Sequence, residues 1–178
     1  MQELVEQLKN LSTEKKSFVI AIDGMAASGK TTLANALSKE LDANVIHIDD
    51  FFLPISKRTS QIGGNIDFKR IKKEILESVS SDIVYHPFDC TTQTLKDSIS
   101  LSCKKILIIE GTYSLFPSLG RYYDFSIFKK IEIEEQNQRL YKRDFSKYLQ
   151  FINLWLPLEQ SYFLEYEVEK GCDMIISR

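Results

Sequence analysis

The stretch Gly24-Met-Ala-Ala-Ser-Gly-Lys-Thr31 fits the phosphate-binding pattern G-x-x-x-x-G-K-[ST] at every fixed position. Gly24 and Gly29 permit a tight loop whose backbone N–H groups converge on a phosphate chain. Lys30 adds a positive charge near the terminal phosphates, and the Thr31 hydroxyl is a natural ligand for Mg²⁺. The stretch therefore predicts a site for a nucleoside triphosphate. The other loop positions expected to contact the nucleotide are Ala26, Ala27, Ser28 and Thr32.

The sequence on either side of this loop supports the same prediction. Phe18–Ile22 is an apolar run typical of a buried strand, and the apolar residues after Lys30 recur at helical spacing. A strand, a glycine loop and a helix start in this order form an anion site, because free amides and the helix dipole face the ligand. The alternative, a chance match in an ordinary turn, requires all fixed positions and both flanks to agree by accident.

Bulk properties exclude several classes of protein. The 178 residues carry a formal net charge of −2, which offers no basic footprint for nucleic acid. The apolar runs are too short to span a bilayer, and the amphipathic segment Met1–Leu11 does not resemble a signal peptide. Cys90, Cys103 and Cys172 are widely spaced, so we expect neither a disulfide framework nor a zinc site. Free cysteines suit a reducing compartment, and we therefore expect a cytoplasmic location.

Strand-like and helix-like segments alternate along the chain, which predicts an α/β fold with a mostly parallel five-stranded sheet between helices. We expect one domain over residues 1–178. The predicted strands are Phe18–Ile22, Asn44–Ile48, Lys105–Ile109, Ser126–Ile131 and Asp173–Ile176. The predicted helices, besides Met1–Leu11, are Thr31–Leu41, Phe68–Val79, Glu134–Lys147 and Leu158–Glu169. The polar stretch Leu53–Asn65 predicts a mobile loop, and Asp82–Ser102 an inserted β-hairpin.

Two acidic residues follow the second predicted strand, where ligands sit in open α/β sheets. Asp49 and Asp50 are candidates for a general base toward a hydroxyl group and for an outer ligand of Mg²⁺. We assign the base to Asp49, although a pair of loop-starting or capping aspartates fits the spacing equally well. His47 lies inside the strand, and we interpret it as a half-buried structural residue.

The predicted strand at residues 105–109 is followed by Glu110 and Gly111. Nucleotide-binding proteins with this loop often place there the carboxylate that orients the water molecules around Mg²⁺. We therefore predict a metal site formed by Thr31, Asp49 and Glu110, with a plain strand end as the alternative for Glu110.

Three basic residues, Arg139, Arg143 and Lys147, recur at every fourth position and share one helix face. Such a face could close over a triphosphate as a lid, spanning residues 134–150, and stabilise transferred charge. The alternative is a solvated helix face, which is the usual role of such charges. Under the lid hypothesis, Arg139 and Arg143 act in catalysis together with Lys30 and Asp49.

Taken together, these motifs resemble the uridine kinase/phosphoribulokinase branch of P-loop kinases, and more closely the small bacterial uridine kinase-like proteins. The blocks that carry the resemblance are Ile22–Thr32, His47–Pro54, Gly63–Phe68, Tyr85–Cys90, Ile109–Tyr113 and Arg139–Asp144. The phosphate loop occurs in many unrelated proteins, but this combination in this order is far more specific.

The resemblance implies roles for residues outside the loop. It places Asp49 beside the acceptor hydroxyl, Asp67 at the sugar and Tyr85 against the nucleobase. A cap for the helix at Phe68 is the competing interpretation of Asp67. The family's histidine after the hairpin tyrosine has no clear equivalent, because Tyr85 is followed by His86-Pro-Phe88. The full set of expected substrate contacts is Asp50, Phe51, Asp67, Tyr85 and Phe88.

The resemblance implies an ATP- and Mg²⁺-dependent kinase for a small-molecule hydroxyl, foremost the 5′-hydroxyl of uridine or cytidine. Alternatives are another acceptor, such as nicotinamide riboside, pantothenate or an unknown metabolite, and a nucleotide-binding regulator without kinase activity. A switch or transport NTPase is disfavoured, since Asn-Lys-x-Asp and Leu-Ser-Gly-Gly-Gln motifs are absent. We expect ATP and a small molecule as partners, not nucleic acid or a membrane. The sequence leaves open whether the chain forms a homo-oligomer.

Overall fold

The computed structural model describes residues 1–177 and contains a parallel sheet with helices on both faces. The strands are β1 (Phe18–Gly24), β2 (Asn44–His47), β3 (Ile83–Tyr85), β4 (Phe88–Asp89), β5 (Thr94–Leu95), β6 (Ile99–Leu101), β7 (Ile106–Glu110), β8 (Phe125–Lys129) and β9 (Met174–Ile176). The α-helices are α1 (Gln2–Ser12), α2 (Lys30–Leu41), α3 (Phe68–Arg70), α4 (Ile133–Arg143), α5 (Tyr148–Gln150), α6 (Leu156–Glu165) and α7 (Val168–Gly171). Turns of 3₁₀-helix lie at Ile48–Phe51, Ile55–Lys57, Leu76–Ser78, Gly120–Tyr122 and Phe145–Lys147, and π-helical turns at Ile71–Ile75 and Phe151–Trp155.

The main sheet has the strand order β2-β7-β1-β8-β9, and every neighbouring pair is parallel. Its five strands are the five predicted from the sequence, so the α/β class and the parallel sheet are confirmed. All seven residues of β1 are buried, because helices cover both faces of the central strand.

Alternate residues of β1 enter two separate cores. Ile20 and Ile22 pack with α1 and α2 on one face, whereas Val19 faces the other core, which includes Ile75 and Tyr162. The predicted N-terminal helix therefore packs on its own chain, burying Leu4, Val5 and Leu8.

Three predicted helices differ from what the apolar pattern suggests. The helix predicted over Phe68–Val79 is α-helical only as α3 and continues as π-helical and 3₁₀ turns. The helix predicted over Glu134–Lys147 ends at Arg143, because Asp144 leaves helical geometry (φ −157°) and its side chain accepts hydrogen bonds from the next turn. The helix predicted over Leu158–Glu169 is split between α6 and α7, where Glu167 adopts a left-handed conformation (φ 47°).

The predicted hairpin insert is present as nested antiparallel pairs, β3 with β6 and β4 with β5. The predicted loop over Leu53–Asn65 contains one short 3₁₀ turn, and a backbone hydrogen bond of 2.8 Å joins its two ends. None of the helices in the described chain is long and apolar enough to cross a membrane.

Strand register brings the functional segments to one edge of the sheet. Glu110, the last residue of β7, is aligned with Ile22 of β1 on one side and with His47 of β2 on the other. The phosphate loop after β1 and the aspartates after β2 therefore emerge beside Glu110.

Candidate active site

The loop between β1 and α2 has the backbone geometry of an anion site. Gly24 has a φ of 132°, and a Cβ there would lie 2.1 Å from the carbonyl oxygen of Lys129, so only glycine fits. Ala27 is left-handed (φ 58°), and Gly29 (φ 92°) caps the start of α2 with open space around its Cα. These turns lead into the start of α2, where the first amides of a helix have no carbonyl partner within the helix and so suit a phosphate.

The Lys30 side chain folds back along the loop instead of pointing to solvent. Its Nζ donates hydrogen bonds to the carbonyl oxygens of Gly24 (2.7 Å) and Met25 (2.9 Å), and the residue is only 9% exposed. An ammonium group has three protons, so one remains for a phosphate oxygen while the loop carbonyls hold the other two.

The side chains around the loop fit a bound nucleotide and metal ion. The buried Ser28 hydroxyl, Oγ, has no hydrogen-bond partner among the described residues, which a phosphate oxygen would supply. Thr31 Oγ1 donates to Glu110 Oε1 at 2.9 Å, and His47 Nδ1 lies 2.5 Å from the same oxygen. No cluster of three or more His, Cys, Asp or Glu residues within residues 1–177 could hold a metal ion alone. A magnesium ion here would therefore depend on phosphate oxygens and water as well as Thr31 and Glu110, which is its usual habit.

The two aspartates after β2 have different surroundings. Solvent reaches the Asp49 side chain, but neighbouring protein atoms displace part of its hydration, and this desolvation together with the charge of Glu110 raises its pKa. The positive charge of Lys30 and, to a smaller extent, that of Arg143 oppose this rise of the Asp49 pKa. Asp49 thus shares one electrostatic environment with the phosphate loop and the lid helix.

Asp50 instead contacts the hairpin. Its Oδ2 accepts a hydrogen bond of 3.2 Å from the Tyr85 hydroxyl. Burial, and then the negative charge of Asp50, raises the pKa of Tyr85 above its ordinary value, so the phenol remains a donor. The two candidates for the base therefore have different neighbours: Lys30 and Arg143 act electrostatically on Asp49, whereas Asp50 is hydrogen-bonded to the hairpin.

The predicted substrate contacts at the 3₁₀ turn and the hairpin are aromatic residues with little exposed surface. Phe51 is fully buried (0% exposed), because its ring stacks on Tyr85 at 5.5 Å and is covered by Arg70. Phe88 is also almost buried, at 8%. Asp67 accepts a hydrogen bond of 3.1 Å from the Arg70 amide, so it caps α3, as the competing interpretation proposed.

Helix α4, in the segment predicted to be a lid, contacts the phosphate loop directly. Arg139 Nη1 donates to the carbonyl oxygen of Ala27 at 3.0 Å, and Arg139 Nη2 forms an ion pair with Glu135. Arg143 is exposed, and its positive charge lowers the pKa of Asp49, whereas Lys147 pairs with Asp144 at 3.4 Å. Of the three predicted basic residues, the structure thus brings Arg139 and Arg143 to the candidate site.

Two buried carboxylates beside the loop were missed by the sequence analysis. Asp23, at 0% exposure, accepts hydrogen bonds from the amides of Gly24 and Leu115 and from the Tyr162 hydroxyl. Glu159 accepts hydrogen bonds from the Ala26 amide. An acid at the end of an otherwise apolar strand could have drawn attention to Asp23, but no local pattern marks Glu159.

The fold and this site are those of a P-loop nucleotide-binding domain, and known kinases are similar to the chain in sequence and structure. The chain is 32% identical to nicotinamide riboside kinase 1 of Homo sapiens over 133 residues, covering 70% of this chain and 64% of the human protein. It is 25% identical to uridine-cytidine kinase B of Dictyostelium discoideum, covering 95% of this chain and 78% of that protein. The chain is thus a homologue of these kinases, although it spans less than two thirds of the human relative.

A solved structure gives the same result for the fold. A protein of Bacillus stearothermophilus, described as a possible uridine kinase, superimposes with a TM-score of 0.71 at 23% identity, covering 98% of this chain and 99% of that one. No model of a known protein family matches the sequence.

Proposed function

We propose that this chain is an ATP- and Mg²⁺-dependent kinase that phosphorylates the 5′-hydroxyl of a nucleoside, with uridine and cytidine as the first acceptors to test. The observation that supports this most is the shared environment of the phosphate loop and Asp49. Lys30 of the loop and Arg143 of α4 both act on the pKa of Asp49, a carboxylate that solvent can reach. The kinases among its homologues support the same reaction class. Its free cysteines suit a cytoplasmic location.

On the donor side, the chain binds and orients a triphosphate. Amides of the loop and of the start of α2 bind phosphate oxygens, and Ser28 Oγ gains the partner that it lacks. Lys30 and Arg143 place positive charge where negative charge accumulates during transfer. Thr31 and Glu110 are the residues that would hold Mg²⁺, which supplies charge neutralisation at the terminal phosphates.

On the acceptor side, Asp49 positions the hydroxyl and accepts its proton. A bond forms between the acceptor oxygen and the terminal phosphorus while the bond from that phosphorus to the bridging oxygen breaks, leaving ADP. A raised pKa makes Asp49 a better proton acceptor than an ordinary surface aspartate.

Nicotinamide riboside is the second candidate acceptor. Three relatives at 32% identity, from human, mouse and rat, are named nicotinamide riboside kinase 1. The hairpin sequence Tyr85-His-Pro-Phe88 also lacks the histidine arrangement of uridine kinases. An acceptor with a nucleobase other than uracil or cytosine would explain this departure.

The test is an acceptor panel with purified protein, ATP and Mg²⁺. Uridine, cytidine, nicotinamide riboside and pantothenate are incubated separately, and the phosphorylated product and ADP are quantified by mass spectrometry. We expect one nucleoside monophosphate formed in equal amount with ADP, about 100-fold slower formation of both with Lys30→Ala, and no product in the presence of a chelator. ATP binding without phosphorylation of any acceptor would contradict a kinase and favour the regulator.

A further inference from the structure

Helix α6 contacts the phosphate loop through a buried carboxylate, that of Glu159. Glu159 is 5% exposed, and its Oε1 and Oε2 lie 3.0 and 2.9 Å from the amide nitrogen of Ala26. None of the lysine and arginine side chains described in the structure forms an ion pair with it. Burial of this carboxylate is costly and raises the pKa of Glu159, and the charge of Lys30 together with hydrogen bonds from Ala26 and Thr112 opposes this rise.

Two further side chains complete the surroundings of this carboxylate. Gln136 of α4 donates from Nε2 to Glu159 Oε1 (3.3 Å) and to the carbonyl oxygen of Ala26 (3.1 Å). Thr112, two residues after β7, donates to Glu159 Oε2 at 3.2 Å. Glu159 therefore links α4, the segment that follows β7 and Ala26 of the phosphate loop.

The same helix also supports the start of the loop. Tyr162, one turn after Glu159, donates its hydroxyl proton to Asp23 Oδ2 at 2.8 Å, and Asp23 Oδ1 accepts from the Gly24 amide at 2.7 Å. One face of α6 thus holds the loop at two points, which flank Met25.

We propose that Glu159 is a positioning residue for nucleotide binding: it fixes the Ala26 amide, so that Ala27 keeps its left-handed turn and the following amides face the donor phosphates. This inference rests on the proposed function in that ATP is the ligand of the loop. The Ala26 amide, Gln136 and Thr112 already occupy both Glu159 oxygens, so we assign Glu159 no direct contact with phosphate.

The test compares Glu159→Leu, which removes the acceptor but keeps most of the volume, with Glu159→Gln, which keeps one acceptor oxygen for the Ala26 amide. Glu165→Gln is the matched control, since Glu165 lies exposed on the same helix. ATP affinity is measured by calorimetry, and kcat and both KM values by steady-state kinetics. We expect Glu159→Leu to weaken ATP binding at least tenfold with an acceptor KM within twofold. We expect Glu159→Gln to stay within threefold of wild type, and Glu165→Gln to be unchanged.

A second variant covers the case in which Glu159→Leu does not fold. Gln136→Leu removes the two hydrogen bonds from α4 to Glu159 and Ala26, and we expect it to weaken ATP binding about threefold with an unchanged acceptor KM. Equal ATP affinity in wild type and in the folded leucine variants would overturn the inference, and so would an equal loss in both KM values.

The binding measurement also separates this inference from the proposed function. If wild type binds ATP but phosphorylates no acceptor, the kinase proposal fails while the affinity comparison still tests Glu159. If wild type does not bind ATP, both proposals fail.

Discussion

The donor side and the acceptor side of the candidate site are built in different ways. On the donor side, the residues that hold the phosphate loop are almost without solvent contact: Lys30 is 9% exposed, and Glu110 and Glu159 are 5% each. On the proposed acceptor side exposure is uneven: Asp49 is open to solvent, whereas Tyr85 and Phe88 of the hairpin are 3% and 8% exposed. Phosphoryl transfer needs a preorganised cradle whatever the acceptor, whereas acceptor choice depends on a surface that can differ between relatives.

The sharpest test of this division is the aspartate pair, for which we expect the largest effect. Asp49→Asn keeps the shape but cannot accept a proton, so kcat should fall about 1,000-fold while the KM for ATP stays within about threefold. Asp50→Asn should lower kcat less than about tenfold, because Asp50 contacts the hairpin hydroxyl of Tyr85. Steady-state kinetics with the best acceptor measures both.

The pH profile is the control for Asp49. A base acts in its deprotonated form, so kcat/KM should rise with pH through the pKa of Asp49, which lies above the ordinary aspartate value of 3.8. The residual activity of Asp49→Asn should lack this rise. Near-normal turnover in Asp49→Asn together with a severe loss in Asp50→Asn would assign the base to Asp50.

The next largest effect is expected for the loop lysine. Lys30→Ala should lower kcat about 100-fold and also weaken ATP binding, since the ammonium group serves both the bound and the reacting phosphates. Lys39→Ala, at an exposed position of the same helix, should leave both quantities unchanged. Loss of acceptor affinity alone in Lys30→Ala would contradict a donor-side role.

The same division explains what could be predicted from the sequence. The phosphate loop and its strand were predictable because all of their determinants lie in one short segment, from Phe18 to Thr31. Glu159 escaped prediction because it reaches Ala26 across 133 positions of sequence, which only the tertiary structure brings together. The burial of Phe51 also escaped prediction, because its motif position does not show which way the 3₁₀ turn at Ile48–Phe51 directs the ring.

A smaller effect is expected for the lid helix. Arg143→Ala should lower kcat about tenfold with a small change in the KM for ATP, because an exposed guanidinium near Asp49 acts mainly on charge that develops during transfer. Lys142→Ala changes the neighbouring exposed charge and should stay within about twofold. Equal, small effects in both variants would support the solvated-face interpretation of α4.

The smallest effect is expected at the hairpin, and it bears on acceptor recognition alone. Tyr85→Phe removes the hydroxyl that donates to Asp50 but keeps the ring stacked on Phe51, so the fold should be retained. Because Tyr85 orients Asp50 for the acceptor, losing this hydrogen bond, worth about 1 kcal/mol, should raise the acceptor KM by at most about fivefold, with kcat and the KM for ATP nearly unchanged. Tyr141→Phe, at an exposed position of α4, is the matched control and should change neither KM. A rise in the KM for ATP in Tyr85→Phe would mean that the hairpin also shapes the donor side, and the separation of the two sides would then be wrong.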